Sequence, residues 1–397
     1  MTILNKNTLY YLYHSHDGSH HKEIRNDTFV WPQYEEHSDS FYCYEFNTGS
    51  VFNVFPLDTL LTLPEIDLIR KGHAKLILSN SHEAFHYYVE DLYHSIVLRY
   101  NIPPENIVLI SESADIASHI KTVAKKLGLN ELNSRWMRRF EYDVMMDRSI
   151  MGYENEDSIP LTLSNKNYDK KFLCFNRRWR GHRTVLVTLL HATGLLKHGY
   201  VSLGKSDDNR IWEHVCYRDL FYMQDNEEAT RLMDSVREEM VNSFPELYLD
   251  NSDLVTNRAQ LVTDTNYLYE QTYFSVVTET YFFNAERPDE YGRFLSEKTF
   301  KPVAMKHPFI VLSTPFFLVK FRELGYKSFS PYINEDYDNE ENDSNRMMMI
   351  VKEIERLCNL SDTERQQFLK AMKEICWYNF QLLMNKSKSE DWFTDLC

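Results

Sequence analysis

Glycine is scarce in this chain, with 11 residues among 397. Neither GxGxxG nor GxxxxGK[ST] occurs, which disfavours a dinucleotide-dependent dehydrogenase and excludes phosphate binding by a glycine-rich loop. Any phosphate must be held by side chains and helix N-termini. The six cysteines are widely spaced and form no CxxC pair, as expected of reduced thiols rather than a disulfide frame. No apolar run reaches the ~18 residues of a membrane span, and no basic stretch leads into an apolar one at the N-terminus. A soluble, cytoplasmic protein is expected. Positive charge is also short: 44 Lys and Arg stand against 59 Asp and Glu, a net charge of −15. That excludes a general nucleic-acid-coating surface, while leaving room for a local basic groove.

Aromatic residues are plentiful, with 26 Tyr and 24 Phe, and hydrophobic content of 43% suffices for a core. At about 150 residues per domain, the length suggests two domains or one large one. The boundaries expected are 1–165 for a first α/β domain, 170–350 for a second, and 351–397 for C-terminal helices. Gly152 to Lys171, polar and turn-rich, reads as the linker.

In the first half, Thr8 to Tyr13 reads as a strand ending in a His-rich turn from His14 to His21. That turn lacks fixed ligand spacing on rigid elements, so no metal is assigned to it. Asp17 remains a candidate on the acceptor side of a cleft. Pro56 to Lys71 reads as a short helix burying Leu60, Leu61 and Leu63. Ala74 to Leu78, Ala84 to Tyr100, Ile107 to Ser111 and Ala114 to Leu127 then alternate strand and helix, the order of a parallel sheet with right-handed crossovers. His82 and Glu83 fall at the first strand's carboxyl end, where either has the chemistry to take a proton from an attacking hydroxyl. The plain alternative is that Glu83 decorates a helix start, where acids favour the dipole. Arg135, Arg138 and Arg139 offer either a phosphate-gripping patch or a solvated helix face.

In the second half, the strand Lys171 to Phe175 runs into Asn176, Arg177, Arg178, Trp179, Arg180, Gly181, His182 and Arg183, and then a helix from Thr184 to Leu196. Guanidinium groups between a buried strand and a helix N-terminus form an anion-site candidate, because fork and dipole act together. Arg177 and Arg180 are the expected diphosphate contacts. The stretch around Ser275 to Leu312 carries the strand FSVVTETYFF, a polar gap, and FLSEKTFKPVAMKHPFIVL. Glu279 ends the strand, Ser296 is a good N-cap, and Glu297, Lys298, Thr299 and Lys301 occupy the turns that follow. A carboxylate there can accept ribose hydroxyls while the lysines attract a diphosphate. The expected donor-binding set is therefore Arg177, Arg180, Glu279, Glu297, Lys298, Thr299 and Lys301. Gly199 to Gly204 reads as a strand, Asn226 to Ser243 as a helix, and Lys320 to Phe329 as a helix and strand. Met347 to Leu357 and Asp362 to Met384 read as helices, the second with a Ser361/Glu364 capping box.

The run LSEKTFKPVAMKHPFIVLSTPFFLVKFRELGYKSF, continued by INEDYD, resembles the C-terminal half of phage and bacterial glycosyltransferase-like proteins of GT-B type. Fucosyltransferase-like enzymes show a looser relative of the same Glu-Lys element. The resemblance covers roughly Phe172 to Met384 and is specific over Ser296 to Asp338; it does not reach the first domain. It implies an α/β fold of two Rossmann-like domains facing a cleft, the first on the acceptor side and the second binding the nucleotide, with the C-terminal helices packing back on the first; it also implies metal independence and no cofactor beyond a nucleotide-sugar donor substrate. Asp336 and Asp338 spell a DxD, but the resemblance implies a structural or donor-adjacent role. The implied function is transfer of a sugar to an acceptor hydroxyl, with Glu83, His82 or Asp17 as catalytic candidates. The acceptor is either a glycan or small molecule, which the charge and aromatics favour, or a hydroxymethylated base in phage DNA, in which case the location is the host cytoplasm. A non-catalytic nucleotide-sugar-binding module is the competing reading.

Overall fold

The computed structural model describes residues 40–45, 57–59, 61–80, 88–138, 140–141, 144–145, 168–176, 179–204, 223–249, 266–283 and 293–386. The protein is mixed α/β with parallel sheets and divides into two compact units. The first comprises Met1–Arg139, Pro288–Phe294 and Ser389–Cys397; the second comprises Phe140–Arg287 and Leu295–Lys388. The chain thus changes unit at Arg139, ahead of the expected linker, and residues 288–294 return to the first unit.

The first unit has four parallel strands in the order β1-β2-β3-β4: β1 (Ser40–Glu45), β2 (Ala74–Asn80), β3 (Ile107–Ser111) and β4 (Asn133–Trp136). Leu76, Ile77 and Leu78 are consecutive and all buried, as is Ala74, the pattern of a parallel strand covered on both faces. The helices among the described residues of this unit are α1 (Leu63–Arg70), α2 (Val89–Leu92, continuing as a π-helical stretch over Tyr93–Leu98) and α3 (Ile116–Leu127). Helix α3 buries Ile116, Ile120, Val123 and Ala124 at helical spacing, turns its lysines outward, and stops at Gly128, whose φ of 66° suits glycine. In α1 the buried residues are Ile66 and Ile69, whereas Leu63 is 74% exposed. The expected burial of Leu63 is corrected: the residue begins the helix, ahead of the apolar stripe. Arg135 lies on strand β4 and not on a helix face. Arg293 donates from Nε (2.9 Å) and Nη2 (2.6 Å) to Asp115, fastening residues 293–294 to the loop before α3.

The second unit has parallel strands β5 (Phe172–Cys174), β6 (Gly199–Val201), β7 (Phe274–Thr278) and β8 (Phe309–Leu312), in the spatial order β6-β5-β7-β8. After β5 the chain goes to one side for β6 and then returns to the other side of β5 for β7. Between β5 and β7, therefore, the strand order reverses. The helices are α4 (Gly181–Ala192), α5 (Glu227–Asn242), α6 (Asn266–Glu270), α7 (Glu297–Ala304), α8 (Phe317–Glu323), α9 (Asp343–Cys358) and α10 (Asp362–Lys386). Every residue from Gly181 to Leu190 is buried, which makes α4 the central helix.

Arg346, 1% exposed, donates to the carbonyls of Phe282 (2.6 Å), Ser313 (3.1 Å) and Glu340 (2.8 Å), pinning the loops after β7 and β8 to the start of α9. Residues 325–329 form no strand, contrary to expectation. Tyr326 instead stacks on Phe321 at 4.7 Å and Phe329 meets Phe309 at 5.0 Å, so their rings serve the core from a loop. Both C-terminal helices belong to the second unit; a boundary at residue 350 would cut α9, and α10 packs on α7 of its own unit. Ser361 and Glu364 form the capping box that opens α10. Among the described residues, no helix is long and apolar enough to cross a membrane.

His307 is buried between strands' ends, its Nδ1 accepting from Ser275 Oγ (2.8 Å) and its Nε2 donating to Thr272 O (3.1 Å). Burial pulls its pKa down from 6.5 to about 4, against the raising effect of the Thr272 bond. The unfolded chain therefore takes up a proton that the folded state refuses. Stability from this group is complete above pH 6.5 and is lost as pH falls toward about 4, a span worth roughly 3 kcal/mol. Urea midpoints measured across that window should fall with pH, and His307→Gln should flatten the slope. An unaltered slope in the variant contradicts this assignment.

Candidate functional site

The carboxyl ends of β5 and β7 feed the two elements the sequence singled out. Three consecutive carbonyls, at and just past the end of β7, are taken by three side chains from the start of α4: Thr278 O accepts from Arg183 Nη2 (3.2 Å), Glu279 O from His182 Nε2 (2.8 Å), and Thr280 O from Arg180 Nη1 (3.3 Å). Thr278 Oγ1 also donates to Asn176 Oδ1 at 2.7 Å, closing the junction just beyond β5. A strand's last carbonyls have no ladder partner and must find donors elsewhere. Here the basic cluster supplies them.

The Glu279 side chain performs the second closure. Fully buried, its carboxylate accepts from Ser296 N (3.1 Å), Ser296 Oγ (2.7 Å), Thr299 Oγ1 (2.5 Å) and Thr280 N (3.1 Å). Ser296 in turn caps α7 by accepting from Lys298 N at 3.3 Å. Glu279 and Thr299, expected to touch a ligand, are instead spent on one another and on Ser296. They fix where α7 starts.

The side chains with solvent access are Arg180, Glu297, Lys298 and Lys301. Glu297 pairs with Lys298 Nζ at 3.0 Å, with both side chains partly exposed. Burial pushes the Glu297 carboxyl up, but Lys298 and Lys301 outweigh it and hold the pKa at about 2, so this acid is ionised at every ordinary pH. Arg183 is pulled the other way: burial and then Arg180 lower its guanidinium to about 10, opposed by Glu279 and Glu297. His182 is buried and held neutral, its pKa well below the ordinary value through burial first and then Arg183, Arg180 and Lys298. These mutual influences place both segments in one electrostatic neighbourhood.

This neighbourhood lies where the strand order reverses. At such a reversal in open α/β sheets the loops after adjacent strands generally diverge, and ligands bind in the crevice between them. Helix α4 opens at Arg180 without a side-chain cap, leaving first-turn N–H groups for another acceptor. Among the described residues, four cations, Arg180, Arg183, Lys298 and Lys301, accompany the two carboxylates of Glu279 and Glu297 at the junction, an excess of positive charge within an acidic chain.

Of the expected donor-binding residues, Arg180, Glu279, Glu297, Lys298, Thr299 and Lys301 are brought together. Arg177 lies outside the described residues, as do Asp17, His82 and Glu83. Glu112, at the end of β3, is buried. Asp338 is also buried; both its oxygens accept from Leu318 N (3.0 and 3.1 Å), capping α8, and burial raises its pKa to about 6. Asp336 is exposed. Among the described residues, no group of three or more His, Cys, Asp or Glu side chains is arranged to hold a metal. His182 and Arg183 were not selected from the sequence. Their one signal was position, directly after Arg180 at a strand-to-helix turn.

No protein-family model matches the chain, and no curated protein matches it. Among solved structures, the Candida albicans trehalose-6-phosphate phosphatase N-terminal domain is similar at 12% identity and a TM-score of 0.39, over 89% of this chain and 69% of that one. At that TM-score the likeness says nothing of activity.

Glu279→Gln should expose the central role of this carboxylate, because an amide sets an N–H₂ group against hydroxyl and N–H donors. A loss of about 2–3 kcal/mol is expected by urea unfolding. Ser296→Ala should cost about 1 kcal/mol. A Glu279→Gln protein within about 0.5 kcal/mol of wild type would remove the carboxylate from its proposed structural role.

Proposed function

We propose that the junction between β5 and β7 binds the diphosphate of a nucleotide-sugar and that the chain is a glycosyltransferase built on the GT-B plan. The observation that carries this reading is the meeting of two helix N-termini, one bearing Arg180 and the other the Glu297–Lys298 pair, at the reversal of strand order. Arg180 and the first turn of α4 hold the diphosphate, Lys298 and Lys301 attract its charge, and Glu297 accepts ribose hydroxyls. Positive groups fixed in advance stabilise the charge that develops as the diphosphate departs, which is the main catalytic demand of sugar transfer.

The acceptor hydroxyl then requires a base. His82, Glu83 and Asp17 of the first unit carry that role in this reading. A glycan or small molecule fits the acidic chain and its many aromatic residues, and a hydroxymethylated DNA base is the second acceptor class.

A panel of UDP-, GDP-, ADP- and dTDP-sugars tests the reading by calorimetry and by release of free nucleotide. At least one donor should bind. Arg180→Ala and Glu297→Ala should each weaken it by about tenfold or more, with the unfolding midpoint of Glu297→Ala close to wild type and Arg180→Ala less stable by about 1 kcal/mol through loss of its bond to Thr280 O. Unchanged affinity in both variants, or no binding across the panel, contradicts the site. Binding without turnover on any acceptor would identify a nucleotide-sugar-binding module instead of an enzyme.

A further inference from the structure

His182 is fully buried in the first turn of α4, and its two ring nitrogens stand in different situations. Nε2 lies 2.8 Å from a carbonyl, Glu279 O, which can only accept; the proton is therefore on Nε2 and Nδ1 carries a bare lone pair. Among the described residues, that Nδ1 has no hydrogen-bond partner. The ring is held in place, stacked on Phe282 at 6.0 Å and meeting Phe283 edge-on at 6.2 Å, so it does not turn to find one. Its charged surroundings come from three elements: Arg180 and Arg183 on α4, Lys298 on α7, and Glu279 beyond β7. Burial first and then these cations keep a proton off that lone pair, and an anion set among the cations removes the part they contribute.

We infer that an oxyanion entering the junction is taken up together with one proton, which comes from solvent and settles on Nδ1 of His182. The inference rests on the anion-binding reading above. It requires no contact between ligand and ring. At ~6 Å and an effective dielectric of ~20, each negative charge raises the proton affinity of a neighbouring base by about a hundredfold. The imidazolium formed keeps its Nε2–H bond to Glu279 O and adds a positive charge to the anion's cage. The coupling is reciprocal: if anion binding draws in a proton, a lower pH must tighten anion binding.

Inorganic sulfate is the probe, because its charge does not change across the neutral range. Calorimetric titration of the full chain near pH 7, in Tris and in PIPES, gives the protons exchanged from the difference in apparent heats. Uptake approaching one proton per sulfate is expected, with affinity weakening by up to about tenfold per pH unit as pH rises. His182→Gln preserves a donor toward Glu279 O but cannot take the proton, so it should bind sulfate with no uptake and a flat pH profile. In wild type, the His182 ¹⁵N resonances should move from those of a neutral ring to those of an imidazolium on adding sulfate. Sulfate binding without proton uptake, or uptake that survives in His182→Gln, overturns the inference while leaving the anion site standing. Absence of sulfate binding overturns it at the first step, and the nucleotide panel then decides the broader reading separately.

Discussion

Three carbonyl groups in a row, those of Thr278, Glu279 and Thr280, govern the organisation of the second unit. Leaving a parallel sheet, they need donors, and each receives one from a different side chain of a single helical turn. That arrangement fixes the start of α4 against the end of β7. The Glu279 carboxylate then fixes the start of α7 against the same residues. Two helix N-termini and their basic side chains are thus held together by bonds made among themselves, before any ligand enters. Preorganisation of this kind is what a charged crevice needs, since groups already in place lose little order on binding.

The arrangement concentrates charge in the interior. Arg183 is buried deeply enough for its pKa to be pulled down, and Arg346 is buried completely on the far side of the same loops. A buried cation is costly unless hydrogen bonds satisfy it. Arg346 meets that cost with main-chain carbonyls and Asp343, and Arg183 with Thr278 O and the nearby acids. Both arginines therefore brace the ends of β7 and β8, and Arg180 and Lys298 are left partly exposed at the junction.

Much of this was legible in the sequence. Runs such as AKLIL, FSVVT and FIVL can hardly be anything but buried parallel strands, and Ser296 with Glu297 marks a helix start unambiguously. The convergence of Arg180 with the Ser296–Lys298 turn was also anticipated, because both follow strands and strand ends share one edge. The division of labour was not. Glu279 and Thr299 have the residue types of ligand contacts, and only the fold reveals that they satisfy each other. His182 gave no periodic or motif signal, since its partner carbonyl lies 97 residues away. Leu63 and the 325–329 segment were misread for a common reason: local apolarity gives no direction until tertiary packing chooses an inside.

The central claim is that the reversal point between β5 and β7 is a preformed anion cage. Anomalous diffraction from crystals soaked in selenate tests it most directly. The account predicts a selenium peak within about 4 Å of the Arg180 guanidinium or the Lys298 ammonium, over the first turns of α4 and α7. A selenate-saturated crystal with no peak at that junction, or with selenium bound only elsewhere, would contradict it.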